Sequence, residues 1–292
     1  MTRLNQQQQS MASVFQTLAA LPESHQKSSP DYAVFKQDLS SWIEQQYQDE
    51  GCPSFMLSDN RTFSLPYYEM GNINTKHLLG IDELIILAFY QSANGYQKFL
   101  DLGANIGLHS IVASCAGMQV TAYEPDPETF AQLQKNLQLN QCQVETCMRA
   151  VASYDGQASF TRVEGNRTGS HLTGNKQNVY GGQTTFDVDV ENIIPRIKDF
   201  DLIKMDIEGQ EQDVFCHTQE SDWQSTDLFM EINGEQARQA IFNHTQNLKL
   251  NIFSQNSGWQ RVKNEEQLPL NHNDGNVFIT KKAHMPWASG SV

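Results

Sequence analysis

The chain has 292 residues, 39% of them hydrophobic, so it can bury one large α/β core with appendages or two small ones. Its 20 lysines and arginines face 34 aspartates and glutamates, a formal charge of −14, which repels phosphate backbones and anionic lipid, so nucleic acid is not an expected partner. The five scattered cysteines form no CxxC pair and no His/Cys zinc spacing, as suits a reducing cytoplasm.

Residues 1–10 are glutamine-rich, with no apolar leader, and a secretion signal is not expected. A weakly amphipathic helix is expected over Met11 to Leu21. A second follows Ser29-Pro30, an N-cap with proline at the first helical position, and Phe35, Leu39, Trp42 and Ile43 form its apolar stripe. Arg61 to Met70 alternates in part and reads as an edge hairpin, because Pro66 suits no central strand. Asp82 to Gln91 is apolar on nearly every side, as a buried helix is, and its run from Leu84 to Tyr90 is too short to span a membrane. Residues 1–80 thus read as a helical cap, either a packing appendage or a substrate lid. A domain over 81–282 and a tail over 283–292 follow.

Tyr96 to Leu102 is a short buried strand that stops at Gly103. From Leu108 the period changes, and Leu108, Ile111, Val112 and Cys115 mark one face of a helix. Between them, Asp101 to Gly107 is a glycine turn that lets backbone approach a ligand closely. Gln119 to Tyr123 is a second strand, ending at Glu124. Asp126-Pro127-Glu128 then starts a helix with Phe130, Leu133 and Leu137 inward. Val144 to Met148 is a third strand. Ala158 to Val163 and Thr184 to Val190 alternate as strands around a polar loop, Glu164 to Gly182, long enough to be either functional or disordered. Leu202 to Met205 is a fourth buried strand, running into Asp206-Ile207-Glu208-Gly209 and a helix to about Cys216. Leu228 to Ile232 is a fifth, carrying Glu231. A helix over Ala237 to Gln246 and strands over Leu248 to Phe253 and Asn276 to Thr280 complete the chain. The alternation from residue 96 to about 250 argues for a parallel sheet covered on both faces.

Asp101, Glu124, Asp206 and Glu231 all fall at strand carboxyl ends, which share one rim in such a sheet. Glu124 stands about 20 residues beyond the glycine turn, where an acid accepts the two hydroxyls of a ribose. A dinucleotide fold wants GxGxxG. Here Gly103, Asn105 and Gly107 are spaced GxNxG, and Asp101 would repel a pyrophosphate but suit an ammonium. A ribose, no phosphate and an amino-acid end describe S-adenosylmethionine.

Asp101 to Gly107, together with Tyr123-Glu124-Pro125-Asp126-Pro127, resembles the class I S-adenosylmethionine-dependent methyltransferases. Ile203 to Glu211, with its Lys204, Asp206, Glu208, Gly209 and Glu211, narrows the resemblance to the FkbM family. The resemblance implies a Rossmann-like α/β fold: a seven-stranded sheet, mostly parallel, with the last strand antiparallel. It implies methyl transfer to a hydroxyl of a sugar, glycan or small natural product. Asp101 would then hold the methionine end of the cofactor, with Gly103, Ala104, Asn105 and Gly107 shaping the turn beneath it. Glu124, followed by Pro125, would bind ribose; Arg149, Ala150 and Val151 would lie near adenine; Asp206 would sit by the sulfonium methyl.

The proton acceptor is sought among Asp206, Glu208 and Glu231, with Glu211 and His109 as weaker candidates. Glu211 reads equally as an exposed first-turn helix acid and His109 as a structural histidine. Lys204 is expected to pair with a rim acid. Asp206, Glu231 and Asn233 offer oxygen ligands for a divalent ion, but no metal site is expected. Asn166, Ser170 and His171 are either acceptor contacts or solvated loop residues. Two other functions fit less well: a cofactor-binding module without catalysis, and a nicotinamide oxidoreductase, which the GxNxG spacing and Asp101 oppose.

Overall fold

The computed structural model describes residues 10–58, 60–174, 182–271 and 274–287. Ser10 caps α1 (Met11–Ala20) by accepting the Ser13 N–H, and Ser29 caps α2 (Pro30–Gln46), with Pro30 at its first position. A hairpin follows, β1 (Ser54–Ser58) antiparallel to β2 (Arg61–Ser64). The hairpin expected over 61–70 is thus displaced toward the N-terminus. Arg61–Ser64 is its second strand, Phe55 stacks on Phe63 with ring centroids 5.1 Å apart, and Pro66 lies beyond it. The short α3 (Thr75–Leu78) leads to α4 (Ile81–Ser92), in which every residue from Leu84 to Tyr90 is buried. The inner faces of α1 and α2, with α4, share one hydrophobic cluster with Phe99, Phe229 and Phe278 of the main sheet.

The central motif is β3 (Lys98–Leu102), α5 (Leu108–Cys115), β4 (Gln119–Tyr123), α6 (Pro127–Leu139) and β5 (Val144–Cys147). Asp126 caps α6, its side chain accepting the Glu128 and Thr129 N–H groups. The chain then leaves the main sheet for β6 (Ala150–Ala152), β7 (Gly156–Val163), β8 (His171–Leu172) and β9 (Gln183–Asn192). It returns with β10 (Leu202–Met205), α7 (Glu211–Cys216), β11 (Asp227–Met230), α8 (Glu235–Asn247), β12 (Asn251–Ser254), β13 (Gln260–Arg261) and β14 (Val277–Thr280).

The main sheet runs β13-β12-β14-β11-β10-β3-β4-β5. From β11 to β5 neighbours are parallel, and β14 is antiparallel to both β11 and β12. This is the expected mostly parallel sheet with its last strand antiparallel. An eighth, two-residue strand, β13, is added at the β12 edge.

Strands β6-β9-β7-β8 form a separate four-stranded sheet. The reading of residues 158–163 and 184–190 as strands holds, but they lie outside the βα alternation. An antiparallel pair needs no helical crossover, so β7 and β9 can pair directly. The long loop between them contains a turn of 3₁₀ helix, Arg167–Gly169, and β8, while residues 175–181 of it lie outside the described residues. Of the expected tail, Met285 and Trp287 pack on the main cluster, and residues 288–292 lie outside the described residues. Among the described residues, no helix is long and apolar enough to cross a membrane.

Candidate active site

Strand register sets the site. Leu102 pairs with Tyr123 and with Met205, and Met205 pairs with Met230. The residues one step further therefore form the next row across four strands: Glu124, Gly103, Asp206 and Glu231. Of the four acids expected on one rim, Glu124, Asp206 and Glu231 stand in that row, while Asp101 lies two residues before it on β3.

The glycine turn is dictated by crowding. Gly103 has φ +76°, and a Cβ there would lie 1.8 Å from the backbone oxygen of Asp206. Only glycine lets the end of β3 run this close to the end of β10. The Gly103 and Ala104 N–H groups both donate to the Tyr123 carbonyl, at 3.1 and 2.8 Å. Asn105 sits in the left-handed region at φ +51°, which asparagine tolerates. Its N–H donates to Glu124 Oε2 at 2.9 Å, and the Asp126 N–H donates to Glu124 Oε1 at 2.9 Å. Both carboxylate oxygens are thereby fixed, yet each keeps a further lone pair. Burial pushes the Glu124 carboxyl up to about 7, against the opposing pull of those N–H groups.

Asp101 sits behind the wall rather than in it. It is fully buried, receives the Ser110 hydroxyl on Oδ2 at 2.6 Å, and has Lys204 Nζ 3.8 Å from Oδ1. Direct contact with the methionine end, expected from the sequence, is therefore not what its position offers. It anchors Lys204, whose Nζ donates to the Gly103 carbonyl at 2.8 Å and lies 3.3 Å from Asp206 Oδ2. Burial would lower Lys204, but the attraction of Asp206 and Asp101 outweighs it and holds the ammonium above its ordinary value. Gly107 also stands behind the wall. Its φ is +94°, and a Cβ would come within 2.5 Å of Leu133 Cδ1 on α6.

Beyond β10 the chain turns through Glu208 at φ +55° and Gly209 at φ +107°. Glu211 holds this turn, its Oε1 accepting the Ile207 N–H at 2.7 Å and its Oε2 the Gly209 N–H at 2.9 Å. Glu211 is thus a buried structural acid rather than an exposed helix acid, raised by burial and by the nearby Asp206 charge.

Over the row lies a cavity of about 780 Å³, within the range of small-molecule sites. Its wall includes Gly103, Ala104, Asn105, Glu124, Pro125, Arg149, Ala150, Val151, Asp206, Glu208 and Glu231. Asn166 and Ser170 also line it. His171 does not; it is buried, with Nδ1 2.9 Å from the Gly169 carbonyl.

Several wall residues escaped the sequence reading. Ile73, His77, Leu78 and Glu83 come from the N-terminal region, and Arg167 and Thr168 from the long loop. Glu83 Oε2 lies 2.7 Å from His109 Nε2, and His109 Nδ1 lies 3.0 Å from the Tyr90 hydroxyl. Both ring nitrogens of His109 are thus engaged within the protein, in keeping with a structural role. The two mouth segments are joined by backbone: the Asn72 N–H donates to the Gly165 carbonyl at 2.8 Å, the Arg167 N–H to the Met70 carbonyl at 3.1 Å, and Gly71 bridges to Asn166. Below them, Arg162 of β7 grips Asp126 through Nε at 2.5 Å and Nη2 at 2.7 Å, and Glu128 through Nη1 at 2.6 Å. That buried fork fixes the small sheet to the start of α6. Among the described residues, no three His, Cys, Asp or Glu side chains are grouped to hold a metal ion.

A search of curated proteins finds no match to this chain. Among solved structures, a SAM-dependent methyltransferase from Agrobacterium tumefaciens is similar over 80% of this chain and 71% of its own, at 9% identity and TM-score 0.40. The Pyrococcus horikoshii protein TYW2 in complex with MeSAdo is similar over 87% and 86%, at 12% identity and TM-score 0.38. A Pyrococcus abyssi tRNA (uracil-54, C5)-methyltransferase in complex with S-adenosyl-L-homocysteine is similar over 78% and 43%, at 9% identity and TM-score 0.35. The family model of the methyltransferase FkbM domain matches residues 101–252, just over half of the chain. That match runs from the glycine turn through every acid of the rim, and the chain belongs to the FkbM methyltransferase family.

Proposed function

We propose that the protein transfers the methyl group of S-adenosylmethionine to a hydroxyl of a sugar-like or small natural-product acceptor. The observation that carries this reading is the row Glu124, Gly103 and Asp206 beneath one cavity, with Glu124 preset by two backbone N–H groups. The residues fit the cofactor. Glu124 has lone pairs left for two ribose hydroxyls, and the backbone of Gly103 to Asn105 leaves room above the turn. Ala150 and Val151 offer an apolar wall for adenine, beside Arg149. Asp206, oriented by Lys204 at 3.3 Å, would face the sulfonium end.

When bound, S-adenosylmethionine supplies an activated methyl group. The protein's part is to place the acceptor oxygen in line with it, exclude water and take up the hydroxyl proton. We assign the proton to Glu208, whose backbone is held in the left-handed region between the two N–H groups that Glu211 fixes. Residues 1–80 act in this reading as part of the acceptor lid, through Ile73, His77 and Leu78.

Calorimetric titration with S-adenosylhomocysteine tests the cofactor, and incubation with isotopically labelled S-adenosylmethionine and hydroxylated acceptors, read by mass spectrometry, tests the transfer. Binding with formation of a methyl ether is the expected result. Absence of binding refutes the cofactor assignment, and a methylated nitrogen or carbon refutes the hydroxyl.

A further inference from the structure

The cations of the cavity wall are already engaged. Arg149 bonds Glu191 at 3.0 Å, and Arg167 bonds Glu128 at 2.8 Å. Lys204 donates to the Gly103 carbonyl and lies between Asp206 and Asp101. His109 is held by Glu83 and Tyr90.

One acid of the wall, Glu231, is not balanced in return. Glu231 lines the cavity just beyond β11 and is half-buried, and its carboxyl has no hydrogen-bond partner among the described residues. The charges that act on it most strongly are those of Asp206, Glu83, Glu208 and Glu211, all carboxylates. An acid so placed either keeps a proton or waits for a cation.

The cofactor's own cationic groups do not account for it. In the proposed binding mode they would lie over β3 and β10, beside Gly103 and Asp206. β11 is the next strand out, and at a strand spacing of about 4.8 Å Glu231 lies about 10 Å along the row from the glycine turn. It stands on the acceptor's side.

We infer that the acceptor carries a protonated amine near the hydroxyl that is methylated, as in an amino sugar or amino alcohol, and that Glu231 anchors this ammonium. The inference rests on the proposed methyl transfer to oxygen. An ammonium brings N–H donors that the free carboxylate oxygens of Glu231 can accept. It replaces the repulsion between Glu231 and its neighbouring carboxylates with attraction. It also accounts for which atom reacts. A nitrogen kept protonated by surrounding carboxylates has no lone pair, so the hydroxyl oxygen is the nucleophile. The new O–C bond forms as the S–C bond breaks, its electron pair stays on the now neutral sulfur, and the hydroxyl proton passes to Glu208. The ammonium keeps its protons throughout.

The test uses the full-length protein and matched pairs of probes: glucosamine with N-acetylglucosamine, and galactosamine with N-acetylgalactosamine. S-adenosylhomocysteine binding is measured first, then each probe is titrated into the saturated complex near neutral pH. The expected result is that an amine member binds at least tenfold more tightly than its acetylated partner, and that Glu231→Gln brings the pair to within about twofold. Failure to bind S-adenosylhomocysteine overturns the cofactor reading and this inference with it. Cofactor binding with equal affinity for both members, preference for the acetylated member, or no binding of either, overturns this inference alone. The wild-type comparison decides the matter even where the Glu231→Gln protein is poorly folded.

Discussion

Replacing Glu124 by glutamine separates what this acid does for the fold from what it does for a ligand. The carboxylate accepts N–H groups from Asn105 and Asp126, each at 2.9 Å. Glutamine has the same shape but only one acceptor oxygen, so one of those donors would face an amide NH₂. Leaving a buried donor unmatched costs about 1–3 kcal/mol. An opposing term comes from burial, which pushes the Glu124 carboxyl up to about 7 from an ordinary 4.5. Keeping it ionised at higher pH therefore costs the fold about 3 kcal/mol, which glutamine relieves. The two terms nearly offset, so the folding stability of Glu124→Gln near pH 8 should lie within about 1–2 kcal/mol of wild type.

Ligand binding has no such offset. A ribose presents two donor hydroxyls, and the variant can accept only one of them in place. S-adenosylhomocysteine should bind roughly 5- to 150-fold more weakly, the equivalent of about 1–3 kcal/mol. The pH dependence has two opposite signs. Because the folded value is raised, the contribution of Glu124 to stability is fully present below about 4.5 and is lost as pH rises through about 7. Ribose hydroxyls favour the ionised carboxylate, so wild-type affinity should instead increase from about pH 6 to about pH 8. Calorimetric titration of both proteins across that range, with urea denaturation alongside, reads both trends. Wild-type affinity in the variant, or an unchanged pH slope, would refute the ribose assignment.

Gly103→Ala should destabilise the fold by about 2–5 kcal/mol, combining left-handed backbone strain with overpacking against the Asp206 carbonyl 1.8 Å away. Gly95→Ala, also at positive φ but with nothing within 4 Å, should cost clearly less, and equal urea midpoints for the two would contradict this. His25 is buried, lies 2.8 Å from the Leu18 carbonyl through Nε2, and receives the Trp259 indole N–H on Nδ1 at 2.8 Å. Burial lowers it to about 4, so the stability it contributes is present above about 6.5 and lost as pH falls through about 4, up to about 3 kcal/mol. The acid-side loss in urea denaturation should shrink by that amount in His25→Gln, and an unchanged acid slope would rule the account out. Arg162→Met leaves Asp126 buried opposite no guanidinium and should cost about 3–5 kcal/mol in thermal or urea unfolding; a change below 1 kcal/mol would show that the fork does not hold the small sheet.

What was legible in the sequence was local. The helix starts at Ser29-Pro30 and Asp126-Pro127 are written in cap chemistry, and both stand in the structure. The strand from Lys98 to Leu102 and the helix from Leu108 to Cys115 follow from a change of period at the glycine turn. The rim acids followed from their positions at strand ends. What was not legible depends on the third dimension. Glu83 looks like a first-turn acid of a buried helix, and only the packing of α4 beside β3 turns it toward the cavity. Asp101 ends the same strand as the turn, but the pleat sends its side chain beneath the rim to Ser110 and Lys204. Alternation in 158–163 and 184–190 reveals strands but not which sheet they join. β13 pairs through two residues, too few to make a pattern.

The way the cavity mouth is fastened bears on how this enzyme can change its acceptor. Segments around Met70–Asn72 and Gly165–Arg167 are tied by main-chain hydrogen bonds, which any amino acid other than proline can supply. Side chains at the mouth can therefore drift without releasing the clasp or disturbing the glycine turn. Gly71 is the exception, since a Cβ there would meet the Glu164 carbonyl at 2.3 Å. Diversification of the acceptor should thus concentrate at Ile73, His77, Leu78, Asn166 and Thr168, around a glycine that stays put.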